Sequence, residues 1–182
     1  RRKTLKLAPW VLFQGLFFLP KLTEARDTVG KKLKSLKDKL FSTTESLTAY
    51  SKATSYNNYY EFGTDKSDPK KYAYQLEIEP WVVRVGGHVS QPKDFTMNEL
   101  LTLAPMEERV YRLRCVEGWS MVIPWIGYSL SELLRRVAPT KDARYVEFTT
   151  VYRPDQMPGQ RKPILDWPYT EGLRLDEAMN PL

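Results

Sequence analysis

The sequence predicts an α+β domain. Three observations carry that prediction. Strand-like runs occupy residues 80–89, 107–115 and 143–152. Helix-start signatures stand at Thr96-Met97-Asn98-Glu99 and Ser129-Leu130-Ser131-Glu132, each a Ser/Thr followed three residues later by Glu. The 182 residues are 42% apolar and 13% aromatic, enough for one domain with a core. No internal repeat is present.

Net charge is +6, which invites a nucleic-acid partner. Its distribution argues against one. Residues 1–41 hold eleven Lys/Arg against three Asp/Glu, a net +8, while the remainder holds seventeen against nineteen, a net −2. Basicity belongs to the N-terminal arm. The tryptophans are not interleaved with basic residues as a platform for stacked bases, so no nucleic-acid partner is expected.

In chain order, Arg1-Arg2-Lys3-Thr4-Leu5-Lys6 opens the sequence without a methionine, and an apolar run follows at residues 7–19. A basic segment before a short apolar run is the layout of an export signal. The run contains Pro9, Gln14 and Gly15 and is shorter than the ~20 residues that span a bilayer. The paired arginines resemble the twin-arginine export signal, whose pathway carries proteins already folded around their cofactors. The competing reading is a basic amphipathic surface helix. Residues 1–22 are therefore expected to be a signal lacking its Met, without a clean cleavage site.

Residues 23–54 are expected to form a basic helix and a linker. Val29, Leu33, Leu36 and Leu40 recur at helical spacing, and residues 41–54 are rich in Ser and Thr. The body runs over residues 55–182. It starts with Tyr56-Asn57-Asn58-Tyr59-Tyr60-Glu61-Phe62-Gly63, which has neither helical nor strand period. Amides and a carboxylate among aromatic rings suit a flat heterocycle, or an irregular loop pinned by aromatic packing. The first strand ends in a Gly86-Gly87 bend. A short helix starts at Thr96 and stops before Pro105. In the second strand Val110, Arg112 and Arg114 share one face, and Tyr111, Leu113 and Cys115 the other. A helix follows from Ser129 to Val137, and then the third strand. Pro154, Pro158 and Gly159 break regularity, and order resumes at Glu171-Gly172-Leu173-Arg174-Leu175-Asp176-Glu177-Ala178-Met179. Both ends are expected to be cut.

Cys115 is the only cysteine and His88 the only histidine. A nucleophilic thiol needs a positioned base, and nothing in the sequence links His88 to Cys115. No Cys-x-x-Cys exists for a dithiol, and one Cys with one His is too few for zinc. No glycine-rich phosphate loop is present, and Glu117 and Asp176 form no acid/base pair. Two readings stay open: a structural core thiol beside Tyr111 and Leu113, or a soft ligand to a metal held mainly by an organic cofactor. Arg112 and Arg114 would favour the thiolate if they fold towards it.

Arg114-Cys115-Val116-Glu117-Gly118-Trp119-Ser120-Met121, followed by Pro124-Trp125-Ile126-Gly127, resembles the molybdenum-cysteine segment of the sulfite-oxidase fold family. The residue 56–63 run, Gln156-Met157-Pro158-Gly159-Gln160 and the residue 171–179 run narrow the likeness to the family of periplasmic protein-methionine-sulfoxide reductase catalytic subunits. The resemblance implies a mixed-sheet domain of the sulfite-oxidase molybdopterin-binding type with its C-terminal part missing. It implies one molybdenum on a molybdopterin without nucleotide. The pterin dithiolene would supply two sulfurs, and Cys115, as metal ligand and catalytic residue, the third. Asn57, Tyr60, Glu61 and Thr150 occupy positions that hold the cofactor in the family. The residue types are suited to that task. Glu61 can accept from pterin amino and ring N–H groups, and Asn57 can donate and accept. Thr150 offers a hydroxyl at the end of the third strand.

The implied reaction reduces methionine sulfoxide in oxidised periplasmic proteins, with electrons from a haem-containing membrane subunit fed by quinone. Alternatives are a sulfite oxidase-like molybdenum oxidoreductase, and a non-catalytic periplasmic interaction module with a structural Cys115.

Overall fold

The computed structural model describes residues 32–181. The export-signal reading of residues 1–22, and the start of the basic segment, lie outside the described residues. Those described belong to one compact unit with the expected α+β mixture. The strands are β1 (Leu36–Lys37), β2 (Val82–Val85), β3 (Lys93–Thr96), β4 (Glu107–Arg114), β5 (Ser120–Gly127), β6 (Tyr145–Thr149) and β7 (Thr170–Arg174). The helices are α1 (Tyr50–Ala53), α2 (Asp68–Tyr72), α3 (Met97–Thr102), α4 (Leu130–Val137) and α5 (Leu175–Ala178).

They make three small sheets: β1-β4-β5, with β1 parallel and β5 antiparallel to β4, and the antiparallel pairs β2-β3 and β6-β7. In β2-β3 the register sets Arg84 opposite Asp94, and the two form an ion pair at 2.9 Å. β3 buries Phe95 and runs directly into α3, where Thr96 accepts from the Glu99 N–H and Glu99 accepts from the Thr96 N–H. That capping box is the expected one.

The second box does not form. α4 starts and ends where expected and buries Leu134 and Val137, but Ser129 does not cap it. The Ser129 hydroxyl instead bonds the Ser131 hydroxyl and the Asn180 carbonyl. Tertiary partners have displaced the local cap. α4 closes on Ala138 in the left-handed region (φ 51°), with Pro139 preventing continuation.

Two further expectations are corrected. The basic helix reaching Phe41 is, over its described residues, a strand and a turn. Leu36 and Leu40 are 72% and 82% exposed, so the apolar stripe is not buried. The free edge of β4 offers backbone partners instead: Leu36 N–H donates to the Met106 carbonyl and Asp38 N–H to that of Glu108, both at 3.0 Å. A narrow stripe has little to oppose that pairing. The Ser/Thr-rich stretch read as linker is also tied down. Thr43 N–H donates to the Val110 carbonyl (2.7 Å), and Thr48 exchanges bonds with both backbone groups of Val122.

β5 was not among the expected strands, and Pro124 sits near its centre. Val110, opposite Pro124, turns its N–H to the Ser42 hydroxyl and its carbonyl to Thr43. The 110/124 pair is thus a non-hydrogen-bonded pair of the ladder, and the missing proline N–H removes no ladder bond.

Candidate functional site

Cys115 directly follows β4 and opens the turn Cys115-Val116-Glu117-Gly118. Gly118 N–H donates to the Cys115 carbonyl (3.0 Å), and Cys115 N–H to the Trp119 carbonyl (2.9 Å). Gly118 has φ 84°, a conformation glycine adopts without strain. The thiol is free and half-buried, at the mouth of a hairpin rather than inside the core.

The residue 56–66 segment folds against this turn, and Glu117 joins them. Its carboxylate accepts from the Tyr60 hydroxyl (3.3 Å), from Lys66 Nζ at both oxygens (3.1 and 3.0 Å) and from Trp119 Nε1 (3.3 Å). Tyr56 meets Trp119 edge-to-face, ring centroids 6.1 Å apart. Lys66 holds the Glu117 carboxyl below its usual range, with Trp119 assisting, and Glu117 in turn raises the Lys66 ammonium. Asn57 N–H donates to the Lys66 carbonyl (2.9 Å).

A third piece is the residue 151–160 loop. Gly159 N–H donates to the Glu61 carbonyl at 2.7 Å. A Cβ at Gly159 would lie 1.9 Å from the Tyr60 carbonyl oxygen, so only glycine allows this approach. Gln160, buried, accepts from Arg153 N–H and donates to the Val151 carbonyl, which closes the loop on itself. Beyond β6, Thr150 N–H donates to the Tyr169 carbonyl (2.9 Å), and its hydroxyl oxygen accepts from Tyr169 N–H (3.1 Å). The Tyr169 hydroxyl is raised above its usual pKa by its bond to Glu171, with a smaller contribution from the charge of Glu61.

The structure thus brings Tyr60 to the Cys115 turn through Glu117 and sets Asn57 on the same Lys66, while Thr150 is held by Tyr169 and has no hydrogen bond to Asn57, Tyr60 or Glu61 among the described residues. Among the described residues no hydrogen bond joins the Cys115 thiol to any of these. His88 lies in the β2-β3 connection, where its carbonyl accepts from Thr140 N–H, and forms no pair with Cys115. Arg112 is committed to the Ser120 hydroxyl and the Glu45 carboxylate. Lys66 and Glu117 were missed as site residues. They stand 51 positions apart, and no spacing rule connects them.

Three observations test whether these residues suit a molybdenum-bearing pterin. No group of three or more His, Cys, Asp or Glu among the described residues is arranged around a metal ion, so the described side chains do not by themselves make a metal's ligand set at Cys115. The half-buried Asn57 amide and Glu61 carboxylate have no hydrogen-bond or ion-pair partner among the described residues, and they suit a heterocycle edge that donates and accepts. The Gly159 approach fixes the backbone that carries Tyr60 and Glu61. The donor set fits. A surface cavity of about 320 Å³ lies beside Phe62 and Gly159, and another of about 380 Å³ lies between Phe95 and Arg136, lined by none of the site residues. Neither is lined by Cys115.

The chain belongs to the family of oxidoreductase molybdopterin-binding domains, whose model matches residues 70–182. This agrees with the sulfite-oxidase type of fold expected. Within that class it is 58% identical to the protein-methionine-sulfoxide reductase catalytic subunit of Burkholderia mallei over 156 residues, 86% of this chain and 47% of that protein. It is also 58% identical over 142 residues to proteins of the same name from Ralstonia nicotianae (78% of this chain, 43% of that protein) and Xanthomonas axonopodis pv. citri (78% and 44%). The chain spans under half the length of these curated relatives.

Proposed function

We propose that the whole protein reduces methionine sulfoxide in other proteins, using one molybdenum held by molybdopterin and by Cys115. Residues 55–182 are the N-terminal portion of its catalytic domain. The observation that carries the reading is the free thiol of Cys115 on a turn clamped to the Asn57–Glu61 run. The names of the relatives supply the substrate class.

When bound, the cofactor supplies two-electron oxygen-atom transfer: sulfoxide, two electrons and two protons give thioether and water, a reversal of one step of methionine oxidation. The chain's own part is binding and orientation. Cys115 offers a soft thiolate to the metal. Glu61 accepts N–H donors of the pterin, Asn57 donates and accepts at its edge, and Tyr60 packs beside them while its hydroxyl stays on Glu117. Thr150, fixed by Tyr169, presents its hydroxyl proton.

Electrons come from a haem-containing membrane subunit, and the substrates are oxidised periplasmic proteins. The paired arginines at the start support folded export to the periplasm. No helix among the described residues is long and apolar enough to cross a membrane.

The test is made on the full-length protein. Wild type is expected to contain molybdenum and to turn over methionine sulfoxide, and Cys115→Ser to lose turnover by more than about a hundredfold, beyond the effect of removing a group that only supports a metal ligand. Retained activity in Cys115→Ser would remove the ligand role. Turnover of sulfite with none of methionine sulfoxide would favour the sulfite oxidase-like alternative. Absence of molybdenum from correctly exported protein would favour an interaction module.

A further inference from the structure

We propose that Lys66 is a positioning residue for Cys115: it ties the turn that Cys115 opens to the Asn57–Glu61 run. The link to molybdenum rests on the proposed function, but the orientation of the thiol does not.

One side chain makes most of the connection, beside the Tyr60–Glu117 hydrogen bond and the Tyr56–Trp119 ring contact. Lys66 Nζ donates to both Glu117 oxygens at 3.1 and 3.0 Å, donates to Asn58 Oδ1, and lies 5.2 Å from the Tyr60 ring centroid. Its carbonyl takes the Asn57 N–H. Glu117 is the third residue of the Cys115 turn. Trp119, whose carbonyl holds Cys115 N–H, also donates its indole N–H to Glu117. The ammonium therefore adds a charged restraint on the turn to those already made by the Cys115–Gly118 and Cys115–Trp119 backbone bonds and by Tyr60.

Lys66 is itself projected from a fixed loop. Asp65 N–H donates to Asp68 Oδ2 (3.0 Å), and Ser67 N–H to Asp65 Oδ1 (2.8 Å), just before α2. The Lys66 and Glu117 side chains are only 25% and 33% exposed, so water competes for the pair less than at an open surface. With Glu117, Asn58 and the Tyr60 face engaged, the ammonium has little left for a passing anion. That favours a tether over a ligand site.

The test uses full-length protein, prepared with its cofactor and after removing it. The readouts are the rate at which iodoacetamide alkylates Cys115, followed by mass spectrometry of its peptide, and the thermal midpoint. In cofactor-free protein Lys66→Met is expected to raise the rate roughly threefold to tenfold, as a local opening equilibrium shifts by one partly shielded ion pair. The midpoint should move by no more than about 3 °C. Lys66→Arg, which keeps the charge and reaches both Glu117 oxygens, should hold the rate within about twofold of wild type. Lys66→Met combined with Glu117→Gln should be faster than wild type by less than the product of the two single effects, because both weaken the same Lys66–Glu117 tether. A Lys66→Met protein alkylated at the wild-type rate overturns the proposal, as does a rise that Lys66→Arg also shows. Wild type without molybdenum would overturn the proposed function instead, and the thiol comparison would still decide the role of Lys66.

Discussion

An added methyl at Gly159 would meet the Tyr60 carbonyl oxygen at 1.9 Å and the Glu61 carbonyl group at 2.8 Å. Both are backbone atoms, so no side-chain rotation relieves the clash. Gly159→Ala must push residues 60 and 61 aside or break the Gly159–Glu61 bond. We expect a loss of about 1–3 kcal/mol, the usual effect of overpacking. Gly172 is the control. The nearest atom to its added Cβ is 3.6 Å away and its strand is exposed, so Gly172→Ala should change stability by less than about 1 kcal/mol. Urea midpoints check the pair, and equal midpoints would mean that the close approach is not needed. At this scale the sequence was partly legible. Cys115 stood out as the sole thiol, and Gly159 lay in a recognisable run without revealing that a backbone presses against it. Lys66 carried no signal of its own, because its partner comes from a hairpin 51 residues on.

Pro124 illustrates what periodicity hides at the level of elements. Its position in the β4-β5 ladder is one where neither residue of the pair bonds the other, since Val110 directs its backbone groups to Ser42 and Thr43. The neighbouring pair, Tyr111 with Ile123, is by alternation a bonded one. Pro124→Val should therefore shift stability by less than about 1 kcal/mol, while Ile123→Pro should cost about 1–3 kcal/mol by removing a ladder bond and leaving its partner unsatisfied. Denaturation midpoints measure both, and equal losses would refute the assigned register. β4, α3 and α4 were readable because their signals are local: alternation in β4, and a Ser/Thr with Glu at the fourth position for the helices. β1 and the docked residues 42–48 were not, because their stabilisation comes from the open edges of β4 and β5. β7 was missed as a strand for a similar reason. Thr170-Glu171-Gly172-Leu173-Arg174 has no apolar alternation, and its pairing partner β6 defines it. The failed Ser129 cap marks the same boundary from the other side, where a correct local signal yields to a distant carbonyl at Asn180.

Across the molecule, the described core is thin for its area. Its buried apolar side chains include Phe62, Phe95, Val122, Leu134 and Met157, while Leu36, Val82 and Tyr145 stay more than half exposed. Exposed ion pairs on the sheets and their loops add a small part of the stability, and that part depends on pH. Arg84 lowers the Asp94 carboxyl, Lys66 that of Glu117 and Arg174 that of Asp176. Glu99, bonded by Lys93 and by the Thr96 cap, falls from its ordinary 4.5 to about 2. All four shifts have one sign. Each carboxyl binds its proton less readily in the folded state, so the unfolded state takes up more protons as acid is added. The stabilisation is complete above the ordinary carboxylate pKa and is lost as pH falls through the lowered values. We expect a urea midpoint that is flat from about pH 8 to about pH 5 and drops steadily below about pH 4.5, less steeply in high salt, which weakens exposed pairs first. Glu99→Gln separates this from general acid sensitivity. It should start lower than wild type at pH 7 and lose less between pH 4.5 and 2, because its share of the linkage is already gone. Parallel curves for the two proteins would show that Glu99 titrates alike folded and unfolded, and that the α3 cap and its lysine do not couple stability to pH.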